Sequence, residues 1–235
     1  MLYIICLIVL TLLYIFVIAY MKKFSNTAIM NAVFIAVSFI SYITMAIIIY
    51  CDVGFNDWNF HNTFPTANVS PFMFFTLPIY SILPSKAKKT WSLLISLLSL
   101  GMFFAVVLGC IQRIVIHYKF HLTFLLDHIS HLSLSLLGVY LVKSNQVELK
   151  IKESIISGSI LVAIASIMLI INAVFGTAFF GLALNSKYNI YNMVLVDNCY
   201  LSALLYFVGM LFVLTLGYFY QKILNKRVHV KVERE

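Results

Sequence analysis

Charge is what this chain has least of. Asp, Glu, Lys and Arg supply 10% of its 235 residues, while 63% are hydrophobic and the mean hydropathy is +1.01. A soluble domain carries about 25% charged residues, so a water-facing globule is excluded and the chain belongs in lipid. Long polar stretches are also missing. The stretch from Asp52 to Ser70 makes only a loop and leaves no room for a soluble domain between apolar runs. The runs lack the period-two alternation of barrel strands, which excludes a membrane β-barrel. Internal repeats and low-complexity tracts are not evident. The four cysteines, Cys6, Cys51, Cys110 and Cys199, have no CxxC spacing and do not read as a metal cluster. They fit buried free thiols, with an outer disulfide such as Cys51 to Cys199 as the other arrangement.

What is present is a series of apolar runs near the length of about 20 residues that a helix needs to cross a bilayer. Seven are expected: Leu2 to Tyr20, Thr27 to Cys51, Pro71 to Leu83, Thr90 to Val115, Leu122 to Val142, Ser154 to Phe175 and Tyr200 to Tyr220. The fold class is therefore all-α, a polytopic membrane helical bundle of seven spans. It forms one integral domain over 1–235 that ends in a basic tail, 222–235. The first run has no positive n-region and no small-residue cleavage pattern, so it reads as an anchor rather than a signal peptide.

Short cytoplasmic loops accumulate Lys and Arg, which gives an independent check on this segmentation. With seven alternating spans, 13 of the 16 basic residues fall after the first, third, fifth and seventh. Only Arg113, Lys119 and Lys187 fall on the opposite side, together with Asp52, Asp57 and Asp197. The N-terminus is expected outside and the C-terminus inside, in the cell membrane. Orientation thus accounts for the net charge of +8. A nucleic-acid partner would need a soluble basic domain that is missing, and the basic tail suits anionic membrane lipids.

All four prolines, Pro65, Pro71, Pro78 and Pro84, fall in one short stretch. One regular helix is not expected there, and a bent or re-entrant segment bordering a cavity competes with an ordinary proline kink. The polar aromatic stretch from Gly176 to Asn198 reads as an outer loop, either a lid or a headgroup-level anchor.

Asp127, His128 and His131 lie inside the fifth apolar run. Ionisable groups at that depth are costly and mark candidate sites. On a helix they share a sector of about 100°, and Asp127 and His131 lie about 9 and 15 Å along the axis from His121. They are the candidate catalytic residues. His61, Arg113 and Asn172 are candidate substrate-binding residues, with His117 and His121 near the outer mouth. A polar helix–helix seam that also uses Ser130, Ser133 and Ser135 is one reading. A histidine general base oriented by Asp127 is a second, zinc bound through His128, His131, Asp127 and His61 a third, and a proton relay a fourth. HxxH on a helix supplies too few ligands to assign a metal, and no cofactor is called for.

The order of features resembles the YwaF-like integral membrane family, whose members include a glycerophospholipid acyltransferase. Three stretches carry the resemblance. Phe64 to Val69 is similar to the family's segment of Pro-Leu-His-Leu-Cys type, Phe124 to His131 to its histidine-bearing helix, and Asn172 to Phe179 to its Asn-x-x-x-Gly-Thr-Asn-Tyr stretch. Val69 stands where the family carries its nucleophilic Cys and Ala67 where it carries a neighbouring His, while Ala178 and Phe179 replace the Asn-Tyr pair. The resemblance implies the fold, and of the site residues only a fifth-span histidine, His128 or His131. Fold and activity are inherited separately.

The resulting expectation is an outward-opening cavity lined by Asp127, His128, His131, the Phe64 to Pro84 segment and Asn172, acting on a lipid or acyl substrate at the outer leaflet. The alternatives are a small-solute or proton-coupled transporter and a non-catalytic binding or sensing protein. A retinal protein is disfavoured because Tyr200 to Tyr220 contains no Lys for a Schiff base. Nucleophilic catalysis requires Cys51, Cys110 or Ser70 within hydrogen-bond reach of His128 or His131.

Overall fold

In a computed structural model, residues 2–23, 26–54, 68–115, 120–175 and 199–232 are described. They form seven α-helices: α1 (Leu2–Tyr20), α2 (Thr27–Val53), α3 (Val69–Ile82), α4 (Ser85–Val115), α5 (Leu122–Lys143), α6 (Ile151–Phe175) and α7 (Cys199–Val232). A single 3-10 turn, Met21–Lys23, follows α1. No strand occurs among the described residues. All the helices except α3 contain a stretch long and apolar enough to cross a membrane, and the chain is a multi-pass helical membrane protein.

Local chemistry sets several boundaries. Asn26 caps α2 by accepting from the Ile29 N–H at 3.1 Å, satisfying one of the donors a helix start leaves free. Gly54 ends α2 at φ 76°, in the left-handed region that favours glycine. At the end of α5, Asn145 adopts φ 57°, and the Gln146 and Val147 N–H groups donate back to the Leu141 carbonyl, a left-handed helix stop.

In the third segment the re-entrant reading gives way to the helical one. The segment is one continuous helix of 14 residues that runs through Pro78. The chain breaks at Leu83, whose φ of −64° and ψ of 145° are those imposed on a residue before proline, here Pro84. At about 1.5 Å per residue α3 is about 21 Å long, too short for a hydrocarbon core of about 30 Å. It lies along one half of α4, antiparallel to it. Ser70 Oγ sits 3.7 Å from Met102 Sδ near the middle of α4, and the Tyr80 hydroxyl lies 2.9 Å from Ser92 Oγ near its start. The C-terminal segment also differs: α7 continues to Val232, so most of the expected basic tail is helical.

α4 and α5 form the hub, and every other helix packs against at least one of them. Gly138 permits their crossing, since a Cβ there would lie 2.6 Å from the Ile95 carbonyl oxygen and 2.8 Å from Ser99 Cβ. The contact is also polar. Ser135 Oγ donates to the Ser99 carbonyl at 2.6 Å, so the Tyr14 hydroxyl at 2.9 Å donates to Ser135 and Tyr220, at 3.0 Å, donates to Tyr14. Gln221 Nε2 donates to Ser99 Oγ at 2.7 Å and to the Ser96 carbonyl at 3.1 Å. Such bonds join membrane helices for which burial in lipid supplies no hydrophobic drive.

Contacts gather the lysines at one end of the bundle. Lys143 Nζ donates to the Ile18 carbonyl at 2.9 Å, Lys89 pairs with Glu153 at 3.0 Å, and Asn31 Nδ2 donates to Gln146 Oε1 at 2.6 Å. The end of α1 and the starts of α2, α4 and α6 therefore meet there. At the other end Tyr3, Cys110 and Phe124 form a separate buried cluster.

Candidate functional site

The structure brings Asp127, His128 and His131 together on α5. The Asp127 carboxylate lies between the two rings, with Oδ1 3.3 Å from His131 Nδ1 and Oδ2 3.7 Å from His128 Nδ1. Each Nδ1 also reaches a carbonyl one turn back: Phe124 O for His128 and Asp127 O for His131, both at 2.8 Å. A carbonyl only accepts, so in the neutral ring the proton sits on Nδ1 and the basic lone pair on Nε2. The two imidazoles thus share a tautomer and a counter-charge. Their side chains are buried, at 4% and 11% exposure, whereas that of Asp127 is 39% exposed.

Each ring faces a different neighbour. His128 lies against Phe124, ring centroids 3.8 Å apart, and projects Nε2 onto α4 at Gly109. A Cβ at Gly109 would fall 2.7 Å from that nitrogen, so the glycine creates the space for the ring. The Val106 backbone lies near the ring, and Nε2 makes no hydrogen bond among the described residues. His131 meets the edge or face of Phe74 on α3 at 4.9 Å in a T-shaped contact, and Phe74 in turn packs on Tyr42 of α2 at 5.3 Å.

Of the expected binding residues, Arg113 lies half-buried in the last turn of α4, close enough to act electrostatically on the Asp127 carboxylate. Asn172 is buried on α6, a helix that packs on α4 and α7. His61, His117, residues 64–67 of the proline segment and the Gly176 to Asn198 stretch lie outside the described residues.

The serines take the seam role. Ser38 Oγ donates to the Ser130 carbonyl and Ser133 Oγ to the Phe34 carbonyl, both at 2.9 Å, joining α2 to α5. No candidate nucleophile is hydrogen-bonded to either histidine among the described residues. Ser70 turns to Met102, Cys110 is packed with Tyr3 and Phe124, and Cys51 is an exposed free thiol, as Cys6 and Cys110 are also free. The Cys199 side chain lies outside the described residues. No group of three metal-ligating side chains occurs among them either.

Two cavities are described, and neither is lined by Asp127, His128, His131 or Asn172. One, of about 590 Å³, lies between α3, α4 and α6 at the lysine-rich end. The other, of about 350 Å³, lies between α4, α6 and α7. The proline segment does border a cavity, but through Thr76, Ile79, Leu83 and Pro84 and away from the histidines. Gly109 and the aromatic partners Phe74 and Phe124 were not among the sequence-based candidates. Phe124 was within reach, four residues before His128 on the same face.

No protein family, curated protein or solved structure matches this chain.

Proposed function

We propose that Asp127, His128 and His131 form an intramembrane proton-binding site that couples proton movement to passage of a small solute. The observation that carries this reading is one carboxylate shared by two buried imidazoles, with no nucleophile hydrogen-bonded to either among the described residues. A carboxylate, one imidazolium and one neutral imidazole have no net charge, so one proton is held without leaving an uncompensated charge in the bundle. Ser135, one turn beyond His131, begins a chain of hydroxyls through Tyr14 to Tyr220 that supports a route toward the lysine-rich end. Positive residues favour the cytoplasmic side, which supports an N-terminus outside, a C-terminus inside and access to Asp127 from the outer face of the cell membrane.

The test is a pH step across vesicles that contain the purified protein, an entrapped pH dye and a panel of small solutes. The wild type should dissipate the step faster than protein-free vesicles with at least one solute. Asp127→Asn and His131→Ala should return the rate to the protein-free value while keeping their helical content. Equal rates in wild type and both variants contradict the reading.

A second reading, handling of a lipid or acyl substrate at the outer leaflet by a protein of YwaF-like fold, draws on one juxtaposition. Val69, the position of that family's nucleophile, begins α3, and His131 meets α3 at Phe74. The reactive thiol of that family is absent from the position, where this chain has Val69. Turnover of an added phospholipid that disappears with His131→Ala would favour this reading over proton coupling.

A further inference from the structure

The cavity between α3, α4 and α6 is apart from the histidines, and its walls describe a ligand. Ile79, Leu83, Trp91 and Ile160 give it an apolar body, and Lys86 stands at its rim. At about 590 Å³ it falls within the range of small-molecule sites. Two hydroxyls line it, but Thr76 Oγ1 donates to the Met73 carbonyl and Thr90 Oγ1 to the Lys86 carbonyl, so neither has a proton left for a ligand.

The cations nearby differ in one respect. Lys89 is paired with Glu153 at 3.0 Å. Lys88 donates to the Ser81 carbonyl at 3.4 Å and lies over the Tyr80 ring at 5.2 Å. The Lys86 ammonium has no ion pair or hydrogen bond among the described residues. Among the described residues, an unpaired cation thus tops an apolar slot at the membrane boundary, and no carboxylate lines that slot.

We propose that this cavity binds one anionic glycerophospholipid of the lysine-side leaflet, its phosphate on Lys86 and an acyl chain along Ile79, Leu83, Trp91 and Ile160. Snorkelling carries the Lys86 ammonium to headgroup level while its stem covers the apolar wall. Trp91 lies five residues further along α4, about 7–8 Å deeper, at the depth of the first acyl carbons. The lipid fills the gap between α3 and α6 that side chains leave open, and its binding does not depend on proton coupling.

The chain has two tryptophans, so Trp58→Phe leaves Trp91 as a single fluorescent reporter. The full chain carrying that substitution is placed in phosphatidylcholine vesicles with a minor fraction of either phosphatidylglycerol or phosphatidylcholine brominated near the acyl carboxyl. The anionic lipid should be enriched beside Trp91 by about fivefold over bulk, the ratio one lysine near the surface gives, and should quench accordingly. Adding Lys86→Gln should equalise the two lipids, Lys86→Arg should retain the preference, and soluble glycerol phosphate should not relieve quenching. Equal quenching by both lipids without the Lys86 substitution overturns the proposal, as does a preference that survives Lys86→Gln. Relief by glycerol phosphate also overturns it, by showing that a free phosphate suffices.

Discussion

His128 is held from three directions: its Nδ1 by the Phe124 carbonyl, its face by the Phe124 ring and its far edge by the bare backbone of Gly109. Gly109→Ala puts a methyl group 2.7 Å from Nε2, and overpacking of this kind costs about 1–3 kcal/mol where the neighbours cannot give way. The ring should move before the helices do. In nitrogen-labelled protein, the His128 ring resonances of the variant should shift while those of His131 stay in place; an unmoved His128 would show that Gly109 does not set its position. Asp127, His128 and His131 were legible in the sequence because charge inside an apolar run is conspicuous and helical spacing puts them on one face. Gly109 was not. A glycine in an apolar helix shows its purpose only once the opposing side chain is known.

Elements were legible to the extent that apolarity defines them. The first segment, Leu2 to Tyr20, coincides with α1, and Lys22 and Lys23 close the apolar run just beyond it. α4 begins five residues before the apolar run, since Ser85 to Lys89 are helical although polar. Proline left the reading of α3 open between a bent or re-entrant segment and a helix with an ordinary proline kink. Pro71 falls in the first turn, where its missing N–H costs little, Pro84 lies beyond the helix, and only Pro78 interrupts the ladder. The α4–α5 crossing rests on a different feature, Gly138 against the Ile95 carbonyl. Gly138→Ala should force these helices apart and destabilise the protein by about 1–3 kcal/mol, measured by unfolding in mixed micelles. Stability unchanged within about 0.5 kcal/mol would mean that the crossing has slack. The serines of α4 were readable in part: Ser92, Ser96 and Ser99 are spaced by four and three residues and so share a face. What meets them is not: Ser99 takes Ser135 and Gln221, Ser135 takes Tyr14, and Tyr14 takes Tyr220, all from other helices that no local pattern names.

At the scale of the whole molecule, the bundle separates two polar systems along its axis. The hydroxyl and amide seam ties α1, α4, α5 and α7 together toward the end where lysines gather, while Asp127 and the histidines lie toward the opposite end of α5. Lysine positions alone anticipated that polarity of the bundle, because they recur after alternate helices. They did not anticipate where the cavities lie, which depends on how α3 and α6 fit against α4. The central claim is that the carboxylate and two imidazoles act as one site for an exchangeable proton. Nitrogen NMR of histidine-labelled protein in bilayers, followed through a pH titration, tests it most directly. At high pH both His128 and His131 should carry their proton on Nδ1, and on acidification one ring should become doubly protonated, with Asp127→Asn removing that step. Protons on Nε2 at high pH, or a titration unchanged by Asp127→Asn, would contradict the account.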